Sequence, residues 1–213
     1  MPRIALLSLV VVLTCATGAL AARGDPQKRI VPADQTRARA MLLRQGDLAP
    51  GFTATAPTAG SDAYCGALDG SDLTLTGEAK SPLYAAAGVF ASSLAQVYET
   101  VADSNAAWRR GTSRAGERCA RDALARQFGS RGLGVQSFRR VAFPRIAEKS
   151  VAYRLVVAAQ GLRVYVDVVV LRQGRAQAAA VFGSALAPFP KDVEVRLARL
   201  VEQRARTAMG GSP

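Results

Sequence analysis

Residues 151–182 hold three apolar-rich runs separated by turns at Gly161 and Gly174, and no other part of the chain constrains the fold as tightly. In the first run Val151, Tyr153, Leu155 and Val157 fall on one side. In the second, Leu162, Val164, Val166, Val168 and Val170 do the same. A side-chain period of two over runs of this length marks strands, and short glycine turns between strands force antiparallel pairing. The reverse side of the second run reads Arg163, Tyr165, Asp167, Val169, Leu171. That mixed side is expected to be a solvated face with cross-strand pairs such as Arg154 near Asp167 or Arg163. A second reading makes it a partly covered groove anchored by Tyr165 and Asp167.

Further strands are expected at residues 73–76, 87–97 and 135–143, which extends the sheet on both sides of the central runs. Helical patterns occupy the rest. Pro32 suits the first residue of a helix reaching about Gln45, and Asp103 or Ser104 can cap a short one through Trp108. Ser113 can cap another to about Phe128. In the final pattern Val193, Leu197, Leu200, Val201 and Ala205 recur at helical spacing. The fold class that follows is α+β: a single domain with a curved antiparallel β-sheet, helices packed on one face, and one disulfide.

The first residues set the compartment. Met1-Pro2-Arg3 is basic, residues 4–14 are apolar, and Ala19-Leu20-Ala21 offers a small-x-small cleavage site. This is the pattern of a secretory signal peptide, too short to span a bilayer, which takes about 20 apolar residues. No later stretch is long enough for a transmembrane segment. The lesser alternative, a lipoprotein anchored at Cys15, is weakened by Thr14 where a small residue is wanted. The chain therefore divides into a signal peptide over 1–21, a tether over 22–31, one domain over 32–209 and a tail over 210–213.

Export decides how the cysteines read. Loss of residues 1–21 leaves Cys65 and Cys119, and a lone pair in an oxidising compartment points to a disulfide. In the chain-entropy picture a loop of this size is worth about 4 kcal/mol.

The 213 residues include no histidine. Ser-His-Asp triads, Cys-His dyads and imidazole-based zinc sites are excluded. The four lysines form no Ser-x-x-Lys arrangement, and the sixteen acidic residues form no ligand-spaced cluster. The string at residues 129–134 reads as a turn, with no strand feeding it and no helix after it. No catalytic residue, metal or cofactor is expected, and the chain is read as a non-enzyme.

Charge suggests partners instead. The chain carries 28 basic and 16 acidic residues, a net +12, which falls to +11 once Arg3 is removed. Residues 105–147 hold ten arginines against Glu117 and Asp122. Arg114, Arg118 and Arg121 share one helical face, and Trp108, Arg109, Arg110, Arg139 and Arg140 are candidate ligand contacts with Tyr165 and Asp167. Guanidinium forks suit phosphate and carboxylate. An exported protein would meet anionic lipid or cell-wall polymer rather than nucleic acid. The competing view is a solvated cationic surface without a site.

Three segments carry a resemblance. "MLLRQGDLAPGF" follows the first helix, one cysteine precedes the first strands while the other follows "WRRGTSRAGER", and "VEVRLARLVEQRA" closes the chain. This order resembles the PknH-type extracellular sensor domains of actinobacterial receptor kinases and the secreted proteins and lipoproteins similar to them, over most of residues 33–206. The resemblance implies a curved antiparallel sheet with helices packed on it, and a ligand-binding rather than catalytic role. The sequence departs from that group in having one cysteine pair where two are frequent, and in lacking a kinase or membrane segment.

The expected function is thus a secreted, non-catalytic binding or sensor-like module of the bacterial cell envelope, recognising an anionic or amphipathic ligand. The alternatives are a structural partner of another exported protein and, more weakly, a carboxylate-based enzyme. The exported protein should begin at Ala22, as intact-mass measurement would show. A mass carrying diacylglycerol on Cys15 would instead establish the lipoprotein route.

Overall fold

The structure, a computed structural model, describes residues 24–56, 65–130, 132–159, 161–185 and 187–210. The signal peptide with Ala21 and Cys15, the start of the tether, Arg131, the end of the tail and most of the glycine-rich loop before Cys65 lie outside the described residues.

Among the described residues nine strands form one sheet: β1 (Gln27–Lys28), β2 (Thr53–Thr55), β3 (Thr74–Lys80), β4 (Leu83–Ala86), β5 (Val89–Tyr98), β6 (Gly134–Val141), β7 (Lys149–Ala159), β8 (Leu162–Gln173) and β9 (Ala176–Ala185). Four α-helices among the described residues accompany it: α1 (Pro32–Ala40), α2 (Val101–Gly111), α3 (Arg114–Gly129) and α4 (Lys191–Ala208). The strand order is β1-β3-β5-β9-β8-β7-β6, with β4 also on β5 and β2 on β4. All pairings are antiparallel except the short β1–β3 contact. The class, the single domain and the Cys65–Cys119 bond are as the sequence led one to expect.

The turns explain the tight order. Between β4 and β5, Ala87 (φ 40°) and Gly88 (φ 84°) are both left-handed, as a two-residue hairpin turn with the sheet's own twist requires. Gly161 and Gly174 take the same region between the strands on either side of β8. The turns at Gly161 and Gly174 are the two visible in the sequence, whereas residues 87–97 read there as one strand with no turn at Ala87 and Gly88.

Helices cover both faces of the sheet, not one. On one face Phe90, Leu155, Val157, Val164, Val166 and Val181 pack with Leu124 and Phe128 of α3. On the other, Ala91, Ala95, Val169, Leu171, Ala180 and Phe182 pack with Ala38 of α1 and with Leu197, Ala198 and Val201 of α4. The second face is the mixed side of β8 that was expected to be solvated. Its covering follows from β5 and β9, whose alanines at 91, 95, 178 and 180 are small enough to let a helix sit close. Gly183 has the complementary role on the first face, where a Cβ would collide with the Phe90 ring opposite it on β5.

Two other departures have local causes. The first helix stops at Ala40 rather than near Gln45, because Met41 and Leu43 are drawn into the core and the Leu43 N–H donates to Ser93 Oγ at 2.8 Å. The segment read as a tether is bound to the sheet: Gln27, Arg29 and Val31 donate backbone bonds to Leu73, Leu75 and Thr76.

One buried carboxylate joins the first helix to the far turn of the sheet. Asp34, 4% exposed, accepts from Thr76 Oγ1 (2.6 Å), Arg37 (2.6 Å) and both terminal nitrogens of Arg175 (3.1 and 3.2 Å). Arg175 Nη1 also donates to the Tyr98 carbonyl at 2.7 Å. Burial by itself would raise the Asp34 pKa, but the bonds from Arg175, Thr76 and Arg37 outweigh it and hold the carboxyl at about 2, against an ordinary 3.8. The unfolded chain therefore binds the extra proton first. Asp34 contributes its full stability above about pH 4, worth roughly 2 kcal/mol, and loses it as pH falls toward about 2. Chemical denaturation of Asp34→Asn against the parent should show a lower midpoint at pH 7 and a difference that shrinks steadily from pH 4 to pH 2. A constant difference across that range would remove Asp34 from the acid response.

Candidate functional site

The arginine-rich window folds into a helical hairpin that crosses the first sheet face. Thr100 caps α2 by accepting from the Asp103 N–H at 3.0 Å, and Ser113 caps α3 by accepting from Gly116 N–H at 2.9 Å. Asp103 and Ser104 are therefore inside α2, not its cap, and Ser104 is fully buried there. Gly116 lets the two helices meet, since a Cβ there would overlap the Arg110 carbonyl.

Two anchors hold this hairpin down. The Cys65–Cys119 disulfide, with Cα atoms 5.8 Å apart, ties the short 3₁₀ turn Gly66–Leu68 to α3. Arg110 grips Asp72 through both terminal nitrogens (2.6 and 2.7 Å) and donates to the Asp69 carbonyl at 2.6 Å.

Between the hairpin and the sheet lies a recess of about 230 Å³. Its floor is β-sheet, including Leu94, Val166, Val168, Val170 and Val181, and Trp108, Leu124 and Phe138 wall it. The volume is below the usual range for drug-sized ligands, about 300–1,000 Å³, so it suits one slender apolar body.

Its polar residues are few and mostly bonded to one another. Glu117 on α3, 24% exposed, accepts from Tyr153 Oη at 3.0 Å and from Arg140 Nε. Arg140 also donates to the Thr112 carbonyl and stands 5.8 Å from the centroid of the Tyr153 ring. That ring stacks on Phe138 at 5.3 Å with planes 10° apart. Burial, and then its bond to Glu117, pushes the Tyr153 phenol well above its ordinary pKa, so it remains a neutral donor. Gln177 is likewise engaged, donating to the Ser104 carbonyl at 2.6 Å.

The residues singled out in the sequence do not form one site. Trp108 lines the recess as a buried wall. Arg140 reaches toward it from β6, whereas Arg139 must point to the opposite side of the same strand, across from Arg154. Arg109 is exposed and Arg110 is committed to Asp72. Tyr165 and Asp167 belong to the other face altogether, under α4. Asp167 is 0% exposed and takes a bidentate bond from Arg154 at 2.7 and 2.8 Å, the cross-strand pair expected from the sequence. Glu194 of α4, also 0% exposed, lies close enough to feel both charges. Burial pushes its carboxyl up, and Lys191 at 3.4 Å is its partner. Asp167 is thus sealed inside a charge cluster and cannot serve as the accessible ligand anchor of a groove.

Glu117, Tyr153, Phe138 and Gln177 were not recognised from sequence. Tyr153 read as one more member of an apolar row, and Glu117 as a counter-charge among arginines. The one available signal was the phenol on an otherwise hydrocarbon strand face, since a buried Tyr hydroxyl needs a partner. Among the described residues no group of three Asp, Glu or Cys could hold a metal ion, and no helix is long and apolar enough to cross a membrane.

No protein-family model matches the chain, and no curated protein matches it. Among solved structures it is similar to the extracellular domain of PknH from Mycobacterium tuberculosis, at 10% sequence identity and a TM-score of 0.44, over 81% of this chain and 96% of that one. The likeness is distant, at the level of the fold, and no family is shown by it.

Proposed function

We propose that the chain is a secreted, non-catalytic binding module of the bacterial cell envelope, and that the recess beneath the α2–α3 hairpin is its ligand site. The observation that carries this reading is the recess itself. A sheet face otherwise filled by core residues leaves an apolar space of about 230 Å³ there, with a polar edge of Glu117 and Tyr153. Stability alone does not favour such a space, because an unfilled apolar cavity costs packing energy. A disulfide at its border agrees with an oxidising compartment. Among the described residues the lining holds no carboxylate pair and no Ser, Cys or Lys, and its one hydroxyl–carboxylate contact, Tyr153 on Glu117, leaves the phenol harder to ionise, which supports binding over catalysis.

The exposed arginines supply a second, electrostatic contact. Arg109, Arg114, Arg118 and Arg121 on the hairpin are all exposed. They hold the module near anionic lipid or cell-wall polymer and leave the recess free for its ligand.

Two measurements test these parts separately. Native mass spectrometry of the protein purified from an exporting bacterial envelope should reveal a bound amphiphile, and Val168→Trp, which fills the recess, should lose it. Retention of the same adduct in a folded Val168→Trp protein would place binding elsewhere.

For the surface, replacing Arg109, Arg114, Arg118 and Arg121 by glutamine should weaken binding to anionic vesicles roughly a thousandfold, at about 1 kcal/mol per basic residue. Binding by the parent should fall steeply with added salt. A control variant replaces Arg39, Lys80, Arg196 and Arg199, which are exposed on other parts of the molecule. Equal losses in the two variants would reduce the surface to net charge alone.

A further inference from the structure

The head-group chemistry of the recess can be read from what stands there now. Glu117 is the one charged residue among the described residues lining it, and Arg140 is not part of the lining. The carboxylate is flanked by the Tyr153 ring and, stacked on it, the Phe138 ring. A carboxylate beside aromatic faces is a recognition set for an organic cation, which gains both a charge-assisted bond and attraction to the ring. The chain supplies such a cation itself. The Arg140 guanidinium donates Nε to Glu117 and lies 5.8 Å from the Tyr153 ring centroid. An anion entering the same place would meet the carboxylate. Three polar donors of the lining are already used: Tyr153 Oη on Glu117, Gln177 Nε2 on the Ser104 carbonyl and Thr112 Oγ1 on the Trp108 carbonyl.

We infer that the recess accepts a single-chain amphiphile with a cationic head, an alkylammonium or alkylguanidinium, and that Arg140 is an internal surrogate which the head displaces. This rests on the reading of the recess as the ligand site. The apolar chain occupies the space over Val166, Val168 and Val170, and the head takes the acceptor of Glu117. Displacing Arg140 is feasible because its side chain is 51% exposed and can turn fully into water. The net charge of +12 works against free cations, so affinity must come from the buried chain, at about fourfold per methylene. Small ammonium ions without a chain are therefore excluded. The acidic group that gives selectivity sits within a surface dominated by arginine, which is why charge counting along the sequence points to the opposite sign of ligand.

Isothermal titration of the mature protein with octylammonium, octanol and octanoate tests this, using the parent, Glu117→Gln, Arg140→Gln and the plugged Val168→Trp. Thermal unfolding of each variant confirms that it is folded. Octylammonium should bind about tenfold more tightly than octanol in the parent, and Glu117→Gln should erase that preference. Arg140→Gln should tighten octylammonium severalfold, by removing the competitor, and leave octanol unchanged. Tightest binding by octanoate, weakened in Arg140→Gln, would overturn the cationic head while the recess remains the site. Equal binding of all three compounds in the parent, lost in Val168→Trp, would likewise remove head recognition and keep the recess. Binding of none of them, or binding unaffected by Val168→Trp, would overturn both readings.

Discussion

A central strand that is apolar on both sides has to be covered on both sides, and the architecture follows from β8. Val164 and Val166 face one layer while Val169 and Leu171 face the other, and all four are buried. Leaving either side in water would forfeit about 1.5–3 kcal/mol for each large side chain. The chain meets this with two helical layers of different quality. The layer of α1 and α4 seats leucines and alanines directly on a small-residue sheet surface. The α2–α3 hairpin is anchored on either side of its turn by Arg110 and by the disulfide at Cys119, and it leaves a gap over the sheet. The recess is the consequence of that incomplete cover.

Charge is distributed according to the same layering. The side with the tighter cover encloses complete polar clusters: Asp34 with Arg175, Arg37 and Thr76, and Asp167 with Arg154 beside Glu194 and Lys191. Each joins elements distant in sequence, as Asp34 and Arg175 are 141 residues apart. Desolvation consumes part of the Coulomb attraction in such clusters, so what they add depends on how fully their hydrogen bonds are completed. On the side with the looser cover the cluster of Glu117, Tyr153 and Arg140 is partly wet. Its ion pair can exchange with solvent or a ligand at modest cost. The contrast between sealed and accessible polar groups separates supporting residues from candidate contacts, where residue type alone does not.

The functional reading stands on the recess and its edge. In the function proposed above, a cationic surface around an acidic, aromatic-flanked pocket would divide two tasks that one charge count merges. Long-range attraction toward an anionic envelope would belong to the exposed arginines. Selection of a ligand would belong to short-range contacts with Glu117, Tyr153 and the hydrocarbon floor.

Much of this was legible along the chain. The period-two runs of β7 and β8, their glycine turn, the Ser113 cap and the pairing of Cys65 with Cys119 are local or nearly forced, and they led directly to the observed elements. Even the Arg154–Asp167 pair could be read, because strands joined by a two-residue turn have a fixed register. What lay beyond the sequence was which layer each face would meet. The mixed side of β8 is covered because α4, which begins at Lys191, 18 residues after β8 ends at Gln173, returns across it beside α1, and that choice depends on alanines in β5 and β9 that have no distinctive local signal. The same long-range packing buried Asp167, separated Arg139 from Arg140, and brought Glu117 of one helix to Tyr153 of a strand 36 residues away. Local sequence determines the elements through backbone periodicity and turn chemistry. Only tertiary packing decides which side chains are sealed and which line a space, because both outcomes depend on how completely one layer covers another.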